Sequence, residues 1–305
     1  MKIAVTGMSG LIGTALAARF VRDGHDVTRL VRRAVRPGEH AIAWYPALGT
    51  IDREALDRWG GDVVVHLAGE PVFGRWTAAK KARIRDSRVS GTGLLSEAIA
   101  ALGRRPRVLL TASAVGYYGD RGAEDLTEAS KPGDDFLARV ARDWEAAAAP
   151  AAAAGIRVVH LRFGVVLSPR GGALAKMLIP FRLGLGGPLG SGHQYFSWIA
   201  LDDVVEVVSQ LLANDSIGGP INVTAPEPVT NGEFARALGR VLSRPAVIPV
   251  PPFALQLAFG AEAASVMMGG QRVRPARLSA GGFRFRCGTI EPALRHLLAA
   301  PHGAP

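Results

Sequence analysis

The amino terminus carries an apolar strand pattern that runs directly into three closely spaced glycines. Residues 1–6 read Met-Lys-Ile-Ala-Val-Thr, and Gly7, Gly10 and Gly13 follow before a helix-forming stretch. Glycines permit a tight turn in which the backbone comes close to phosphate groups, and the helix that follows presents free N–H groups at its N-terminus. The spacing indicates a nucleotide-binding loop, with an ordinary strand-to-helix turn as the alternative.

The residues after the glycines complete a βαβ unit. Leu11 to Arg22 has apolar residues at helical spacing, Gly24 stands where that helix ends, and Val27 to Val31 is a strand pattern. A glycine loop in this position favours nucleotide binding over an ordinary turn. The predicted cofactor contacts in the loop are Gly7, Ser9, Gly10, Leu11, Ile12 and Gly13.

The end of the second strand predicts which dinucleotide is bound. An acidic residue that holds the adenosine ribose 2′-hydroxyl is expected about 20 residues after the glycines. This strand ends instead in Arg32 and Arg33. Guanidinium groups bind a 2′-phosphate, which a carboxylate would repel. We therefore predict NADP(H) as the cofactor, with solvated arginines of a basic protein as the alternative.

Composition places the chain among globular proteins. Its 305 residues contain one cysteine, Cys287, so an intrachain disulfide and a cysteine cluster for metal are excluded. No apolar run reaches the roughly 18 uncharged residues that cross a bilayer, and the N-terminus lacks the pattern of a signal peptide. These features predict a cytoplasmic protein without membrane contact.

The net charge of +10 bears on the kind of partner. The positive residues are scattered, and even the densest stretch, residues 80–88, is interrupted by Ile84 and Asp86 on a predicted helix. No zinc finger, basic zipper or aromatic RNA-binding strand is present. We therefore expect a small anionic molecule as the partner and no nucleic acid.

Strand and helix patterns alternate after the first unit, as a parallel sheet with crossover helices requires. Strands are predicted at 62–69, 108–113, 157–165 and 220–223, and helices at 77–102, 134–149, 201–214 and from Thr230 through Leu242. The predicted fold is α/β, a Rossmann-type doubly wound parallel sheet with a smaller C-terminal substrate lobe. Residues 1–170 would form the cofactor domain, completed by residues 198–225, and residues 171–305 the substrate lobe and C-terminal extension.

Blocks spread along the chain resemble the extended form of the short-chain dehydrogenase/reductase superfamily. The likeness is greatest to an atypical branch known as "epimerase family protein", which has a characteristic C-terminal extension. The blocks are residues 7–13, 66–70, 75–76, 87–88, 113–118, 184–198 and 269–273. The resemblance implies an NADP(H)-binding protein of the epimerase and oxidoreductase class that acts on a small substrate, for which a nucleotide-linked molecule is one candidate.

The resemblance also implies further site residues. Leu67, Ala68, Gly69 and Thr111 are expected at the cofactor, and Arg88 at a cofactor phosphate or an anionic substrate, with a solvated helix charge as its alternative. His193 and Gln194 lie in a glycine-bordered loop that faces the substrate in relatives. A homodimer through the helices at 77–102 and 134–149 is a further expectation.

The chain departs from the superfamily at its catalytic pair. The superfamily places a tyrosine and a lysine one helical turn apart so that the cation lowers the tyrosine pKa. Residues 135–145 contain neither residue type. Ser113, at a strand end, is predicted to orient the substrate, and Tyr117 is the best remaining proton donor, with simple packing as the alternative for Tyr117 and for the neighbouring Tyr118.

Two functions remain open at this point. One is an NADP(H)-dependent oxidoreductase or epimerase-like enzyme, and the other is a non-catalytic NADP(H)-binding sensor or regulator, which the missing pair favours. No set of His, Asp and Glu has the spacing of metal ligands, so no metal is predicted. Asp202 and Asp203 are interpreted as the N-terminal cap of the helix that follows them.

Overall fold

A computed structural model describes residues 1–299. The strands are β1 (Lys2–Thr6), β2 (Asp26–Val31), β3 (Ala41–Tyr45), β4 (Thr50–Ile51), β5 (Val63–His66), β6 (Val108–Ala114), β7 (Asp125–Leu126), β8 (Arg157–Phe163), β9 (Val165–Ser168), β10 (Tyr195–Phe196), β11 (Trp198–Ala200), β12 (Gly219–Val223), β13 (Val229–Thr230) and β14 (Arg272–Val273). The helices are α1 (Leu11–Arg22), α2 (Arg53–Trp59), α3 (Ala78–Ala100), α4 (Phe136–Ala146), α5 (Ala149–Ala153), α6 (Gly172–Arg182), α7 (Leu201–Ala213), α8 (Asn231–Leu242), α9 (Pro252–Phe259), α10 (Ala261–Met268), α11 (Ala276–Ala280) and α12 (Ile290–Ala299).

Eight strands form the main sheet, in the order β12-β8-β6-β5-β1-β2-β3-β4. Neighbouring strands run parallel except β3 and β4, which are antiparallel. The strand order reverses direction at β1, so the crossover helices lie on both faces, and the predicted doubly wound α/β fold is confirmed. Strand β12 comes late in the chain and pairs with β8 at one edge of this sheet.

The main sheet has a hydrophobic core on each face, because successive side chains of its strands point to opposite faces. Ile3 and Val5 of β1 face a core that also contains residues of α1 and α7, whereas Ala4 faces a core with residues of α2, α3 and α5. Successive side chains of a strand point to opposite faces, so a continuous apolar strand buries both. This packing aligns the carboxyl ends of the central strands at one edge of the sheet.

A third core lies beyond the main sheet. It joins α6, α8 and α12 to β11, with Trp198 completely buried and Phe234 nearly so. Thr230 caps α8 through the backbone N–H of Glu233, whose side chain returns to the N–H of Thr230, as the capping-box pattern predicted. Within residues 1–299, no helix is both long enough and apolar enough to cross a membrane.

Two predicted elements are interrupted. The helix expected at 134–149 ends at Ala146, and a separate short helix, α5, has Pro150 in its first turn, where its missing N–H costs no hydrogen bond. The strand expected at 157–165 breaks at Gly164, because β8 pairs within the main sheet whereas β9 pairs with β11. A Cβ at Gly164 would lie 2.8 Å from the carbonyl oxygen of Ser197.

The interpretation of Asp202 and Asp203 as a helix cap is wrong. The residue that caps α7 is Ala200, and no side chain caps the helix. Asp203 is completely buried and accepts the backbone N–H groups of Arg286 and Cys287, and Asp202 lies 2.7 Å from Nε2 of His296. These carboxylates therefore hold the C-terminal segment against α7.

Candidate functional site

A cleft of about 630 Å³ opens at the carboxyl ends of β1, β2 and β5. In open α/β sheets this edge is where ligands bind. The predicted cofactor residues that line the cleft are Gly7, Ser9, Gly10, Arg32, Arg33, Leu67, Ala68 and Gly69. Eight residues from three separate segments, predicted from sequence, therefore meet at one cleft.

The glycine loop leaves no space for side chains at two positions. Gly7 has a φ of +68°, and a Cβ there would lie 2.8 Å from the carbonyl carbon of Leu67. A Cβ at Gly13 would lie 2.7 Å from the Cα of Met8 and would clash with the carbonyl oxygen of Gly7. The loop therefore keeps the backbone of β1 tight against the start of α1, which is the form of a phosphate cradle.

The first turn of α1 is left open for an anion. Gly10 caps the helix without a side-chain hydrogen bond, and no acidic residue lies in the first turn. Leu11 and Ile12, which were also predicted as cofactor contacts in the loop, are the first two residues of the helix. Their N–H groups are therefore among those without a partner inside it. The helix dipole adds a partial positive charge at the same place.

A buried hydrogen-bond cluster ties β1 to β5 beneath the cleft. Thr6 Oγ1 accepts the backbone N–H groups of Leu67 at 3.0 Å and Ala68 at 3.1 Å, and it lies 2.7 Å from Nδ1 of His66. The hydroxyl therefore donates to Nδ1, which assigns the proton of the neutral ring to Nε2. Burial lowers the pKa of His66 to about 4, so this histidine is neutral and structural.

Three arginines, Arg29, Arg32 and Arg33, line the cleft beside β2, and the carboxylate of Glu39 pairs with two of them. Arg33 contacts Glu39 with both terminal nitrogens, at 2.9 and 2.5 Å, and Arg29 contacts the same carboxylate at 2.7 Å. The guanidinium of Arg33 is the main cause that lowers the pKa of Glu39 to about 2. Arg32 is exposed at the cleft, and no side-chain partner is found for it among residues 1–299. The two arginines thus differ, because within residues 1–299 Arg33 has a carboxylate partner and Arg32 has none.

Arg88 lies behind the end of β5. Its Nη1 donates to the carbonyl oxygens of Glu70 and Ile84, and its guanidinium packs 5.0 Å from the ring of Trp144. A Cβ on Gly69 would lie 3.4 Å from its Cζ, so the cation lies directly against the cleft wall. Burial lowers the pKa of Arg88 to about 10.

Ser113 is part of a buried polar network on the other side of β6. Its hydroxyl donates to Oε1 of Glu145 at 2.7 Å, and Arg162 binds both oxygens of this carboxylate at 2.7 and 2.8 Å. Ser113 is 2% exposed and Arg162 is 3% exposed. Nη1 of Arg162 also donates to the hydroxyl of Tyr118, which donates in turn to Oδ1 of Asn222.

Tyr117 is the half-buried neighbour of this network. The guanidinium of Arg162 lies 3.5 Å from the centre of its ring, and its hydroxyl forms no hydrogen bond within residues 1–299. Burial raises the pKa of the adjacent Tyr118 to about 12, and both of its hydrogen-bonding positions are used. Of the two phenols, Tyr117 is the one with a free hydroxyl.

Besides Leu11, Ile12 and Gly13 at the start of α1, the predicted residues that do not line the 630 Å³ cleft are Arg88, Thr111, Ser113, Tyr117, His193 and Gln194. Thr111 is completely buried within β6. His193 is exposed, and its backbone N–H donates to Oγ of Ser191. The amide of Gln194 donates to the carbonyl oxygen of Leu189, which braces its own loop. Among residues 1–299, no three His, Cys, Asp or Glu side chains are grouped as metal ligands.

Sequence reasoning missed Glu39, Glu145 and Arg162. A signal existed for Arg162, because an arginine near the end of a strand inside a parallel sheet requires a partner when it is buried. Glu145 stands in the helix whose missing tyrosine and lysine the sequence revealed, 32 residues after Ser113. Their proximity depends on how α4 packs against β6 and β8, which spacing does not predict.

Known protein families and relatives match almost the full length of the chain. A model described as the NAD dependent epimerase/dehydratase family matches residues 3–224, and one described as a domain of unknown function, DUF1731, matches residues 250–297. An epimerase family protein of Mycobacterium bovis is 43% identical over 300 residues, with 98% of each chain covered.

Two solved structures are similar as well. The crystal structure of human epimerase family protein SDR39U1 (isoform 2) with NADPH has a TM-score of 0.88 and 35% identity, covering 99% of this chain and 100% of that chain. A nucleoside-diphosphate sugar epimerase of Corynebacterium glutamicum has a TM-score of 0.80 and 40% identity, covering 98% of this chain and 58% of that chain. The resemblance predicted from the sequence blocks is confirmed, and the chain belongs to the NAD dependent epimerase/dehydratase family.

Proposed function

We propose that this protein binds NADP(H) and acts as an oxidoreductase or epimerase-like enzyme on a small molecule. The observation that carries the proposal is Arg32, an unneutralised guanidinium on the rim of a cleft whose floor is the glycine loop. A fixed cation at this rim favours a 2′-phosphate. The human relative was solved with NADPH, which supports the same cofactor here.

In this proposal the predicted residues divide the cofactor between them. The N–H groups at the start of α1 hold the diphosphate, residues Leu67 to Gly69 contact the adenosine half, and Arg32 binds the 2′-phosphate. Arg33 is restrained by Glu39 and contributes less. Arg88 supports Gly69 from behind. We further propose residues 1–170 with 198–225 as the cofactor domain, and residues 171–305 as the substrate lobe and extension.

Replacing Arg32 by Gln tests the choice of cofactor. We expect the Kd for NADPH to rise by about 10- to 100-fold, the value of a charge-assisted contact to phosphate, whereas the Kd for NADH changes by less than about 2-fold. Arg33→Gln is expected to have a smaller effect on NADPH, because its guanidinium is already bound to Glu39. Titration calorimetry measures all of these constants.

Arg53→Gln is the matched control, because Arg53 is an exposed arginine on α2 outside the cleft, and the variant loses the same unit of charge. A wild-type preference for NADH, or an equal loss of both cofactors in Arg32→Gln, would contradict the assignment of Arg32.

The chemistry proposed for this site depends on Tyr117. A bound nicotinamide supplies or accepts hydride, and the protein must move a proton. The hydroxyl of Tyr117 is the proposed donor, and the guanidinium of Arg162, 3.5 Å from the ring centre, holds the ring in place. Orientation of a substrate by Ser113 stays a prediction, and donation of a hydrogen bond to a substrate would require the hydroxyl to release Glu145.

Turnover of NADPH distinguishes the proposed enzyme from its alternative, a non-catalytic sensor. The missing Tyr-x-x-x-Lys pair favours the sensor. Purified protein with NADPH is exposed to fractions of a small-molecule extract while loss of NADPH absorbance is followed. We expect one fraction to support turnover and Tyr117→Phe to lower that rate by about 100-fold or more with an unchanged Kd for NADPH. Inert binding with every fraction would favour the sensor, and full activity in Tyr117→Phe would remove Tyr117 from the mechanism.

The remaining expectations about partners are proposals of the same kind. His193 and Gln194 stay candidate substrate residues in the loop after Gly192, and Thr111 a candidate cofactor residue. A homodimer through α3 and α4 and a cytoplasmic location stay predictions. The substrate class that best fits the basic chain is anionic.

A further inference from the structure

The turn after β9 presents an arginine beside the glycine loop. Ser168 and Gly171 face each other across an antiparallel bridge, and Leu167 and Gly172 form the next one, so the chain reverses tightly around Arg170. The backbone N–H of Arg170 donates to Oγ of Ser168, which is 2% exposed. The backbone of the turn is therefore well defined, while the side chain of Arg170 is exposed.

Close packing holds this turn against α1. A Cβ at Gly171 would lie 3.5 Å from the side chain of Leu11, and one at Gly172 would lie 3.3 Å from it. Gly172 also has a φ of +71°, which disfavours any other residue. The turn is therefore in van der Waals contact with Leu11 at the start of α1, and the backbone of Gly172 favours glycine. The two glycines therefore set how near Arg170 comes to the glycine loop.

A second cavity lies between the turn and the glycine loop. It measures about 340 Å³, and its lining consists of Ser9, Gly10, Leu11, Thr14, Ala15, Arg170, Gly171 and Gly172. Ser9 and Gly10 also line the 630 Å³ cleft, so the two spaces meet at the glycine loop. Arg170 thus approaches the loop from the side of α1, whereas Arg32 approaches it from β2.

Arg170 is the one charged side chain among the described residues that line the 340 Å³ cavity. The first turn of α1 has no acidic residue, and the structure gives the guanidinium of Arg170 no carboxylate partner within residues 1–299. An arginine beside the positive end of a helix is repelled unless an anion lies between them. The arrangement is therefore stabilised when a negatively charged group occupies the junction.

We propose that Arg170 is a further cofactor-binding residue, which donates hydrogen bonds to the diphosphate and holds it against the N-terminus of α1. The inference rests on the proposed function and extends it. It adds a second arginine to the cofactor site. Arg32 binds the 2′-phosphate, which only NADP(H) carries, whereas Arg170 binds the diphosphate, which NADP(H) and NAD(H) share. Arg170 therefore raises affinity for both dinucleotides without choosing between them.

Three ligands separate the two arginines by calorimetry. NADPH carries both the diphosphate and the 2′-phosphate, NADH carries only the diphosphate, and adenosine 2′-monophosphate carries only the 2′-phosphate. In Arg170→Gln we expect the Kd for NADPH and for NADH to rise by the same factor, about 10-fold or more, with the Kd for adenosine 2′-monophosphate unchanged. In Arg32→Gln we expect the Kd for NADPH and for adenosine 2′-monophosphate to rise, with the Kd for NADH nearly unchanged.

Two controls make the result decisive. Arg53→Gln removes the same charge at a distant exposed site and is expected to leave all three constants unchanged. Arg170→Lys keeps the charge but loses the planar fork, so its effect should lie between wild type and Arg170→Gln. Thermal unfolding checks that each variant is folded.

Each outcome distinguishes this inference from the proposed function. If wild type binds NADPH and folded Arg170→Gln binds it equally well, the role of Arg170 is wrong and the proposed function stands. If Arg170→Gln weakens adenosine 2′-monophosphate as much as NADPH, the residue acts through general charge and the inference is also wrong. If wild type binds neither dinucleotide, the proposed function and this inference both fail.

Discussion

Replacing Gly13 by Ala is expected to abolish dinucleotide binding and to lower the free energy of unfolding by about 3 kcal/mol, the upper part of the usual range for overpacking. The added methyl group would lie 2.7 Å from the Cα of Met8 and would also clash with the carbonyl oxygen of Gly7. Both obstacles are backbone atoms of the loop itself, so no side chain can rotate away. The loop must open, which separates the N–H groups that would hold a diphosphate.

Gly93→Ala is the control with the opposite sign. Gly93 lies inside α3, and a Cβ there would meet no atom within 4 Å. Alanine is favoured over glycine inside a helix, so we expect stabilisation by about 0.5 to 1 kcal/mol and an unchanged Kd for NADPH. Denaturant unfolding and calorimetry measure both variants. A Gly13→Ala protein with wild-type stability and affinity would show that the loop is not held by this close approach.

The second large effect is expected at the ion pair beneath Tyr117. Glu145→Gln removes the carboxylate that accepts from Ser113 and binds Arg162 with two contacts. Arg162 is 3% exposed and would remain as a buried cation without a counter-charge. Breaking such a pair from one side costs about 3 to 5 kcal/mol, so we expect a large fall in the free energy of unfolding.

A double variant tests whether the loss of stability in Glu145→Gln comes from the unpaired charge of Arg162. Glu145→Leu combined with Arg162→Met removes both charges, and we expect it to be more stable than Glu145→Gln, because no isolated charge is left in the interior. Glu54→Gln is the control, since Glu54 pairs with Arg58 on the exposed face of α2 and should leave the unfolding midpoint nearly unchanged. If Glu145→Gln were as harmless as Glu54→Gln, the buried network would not be a stabilising element.

Much of the cofactor half of the site was predictable from the sequence. The glycine loop, the bounds of α1 and the strand that Arg32 follows are determined by residues near one another in the chain. Gly7 must be glycine because its φ is +68°, and the capping pattern at Thr230 depends on residues three positions apart. Such features are determined by local backbone sterics and by the periods of strands and helices.

The arrangement of the proposed catalytic residues, Ser113 and Tyr117, was decided by the tertiary structure. The sequence showed that the tyrosine and lysine pair is missing, but it did not show that Glu145 and Arg162 meet Ser113 beneath Tyr117. It also did not distinguish Arg32 from Arg33, because the difference lies in the ion pair with Glu39.

The same division applies to Arg170, which is distant in sequence from the glycine loop and joins it only through the packing of Gly171 and Gly172 on Leu11. The sequence by itself determined the fold class, the glycine loop and the choice of candidate cofactor. The partners of each charged side chain were decided only when separate strands and helices packed together, since the energy of a buried charge depends on the groups that surround it in space.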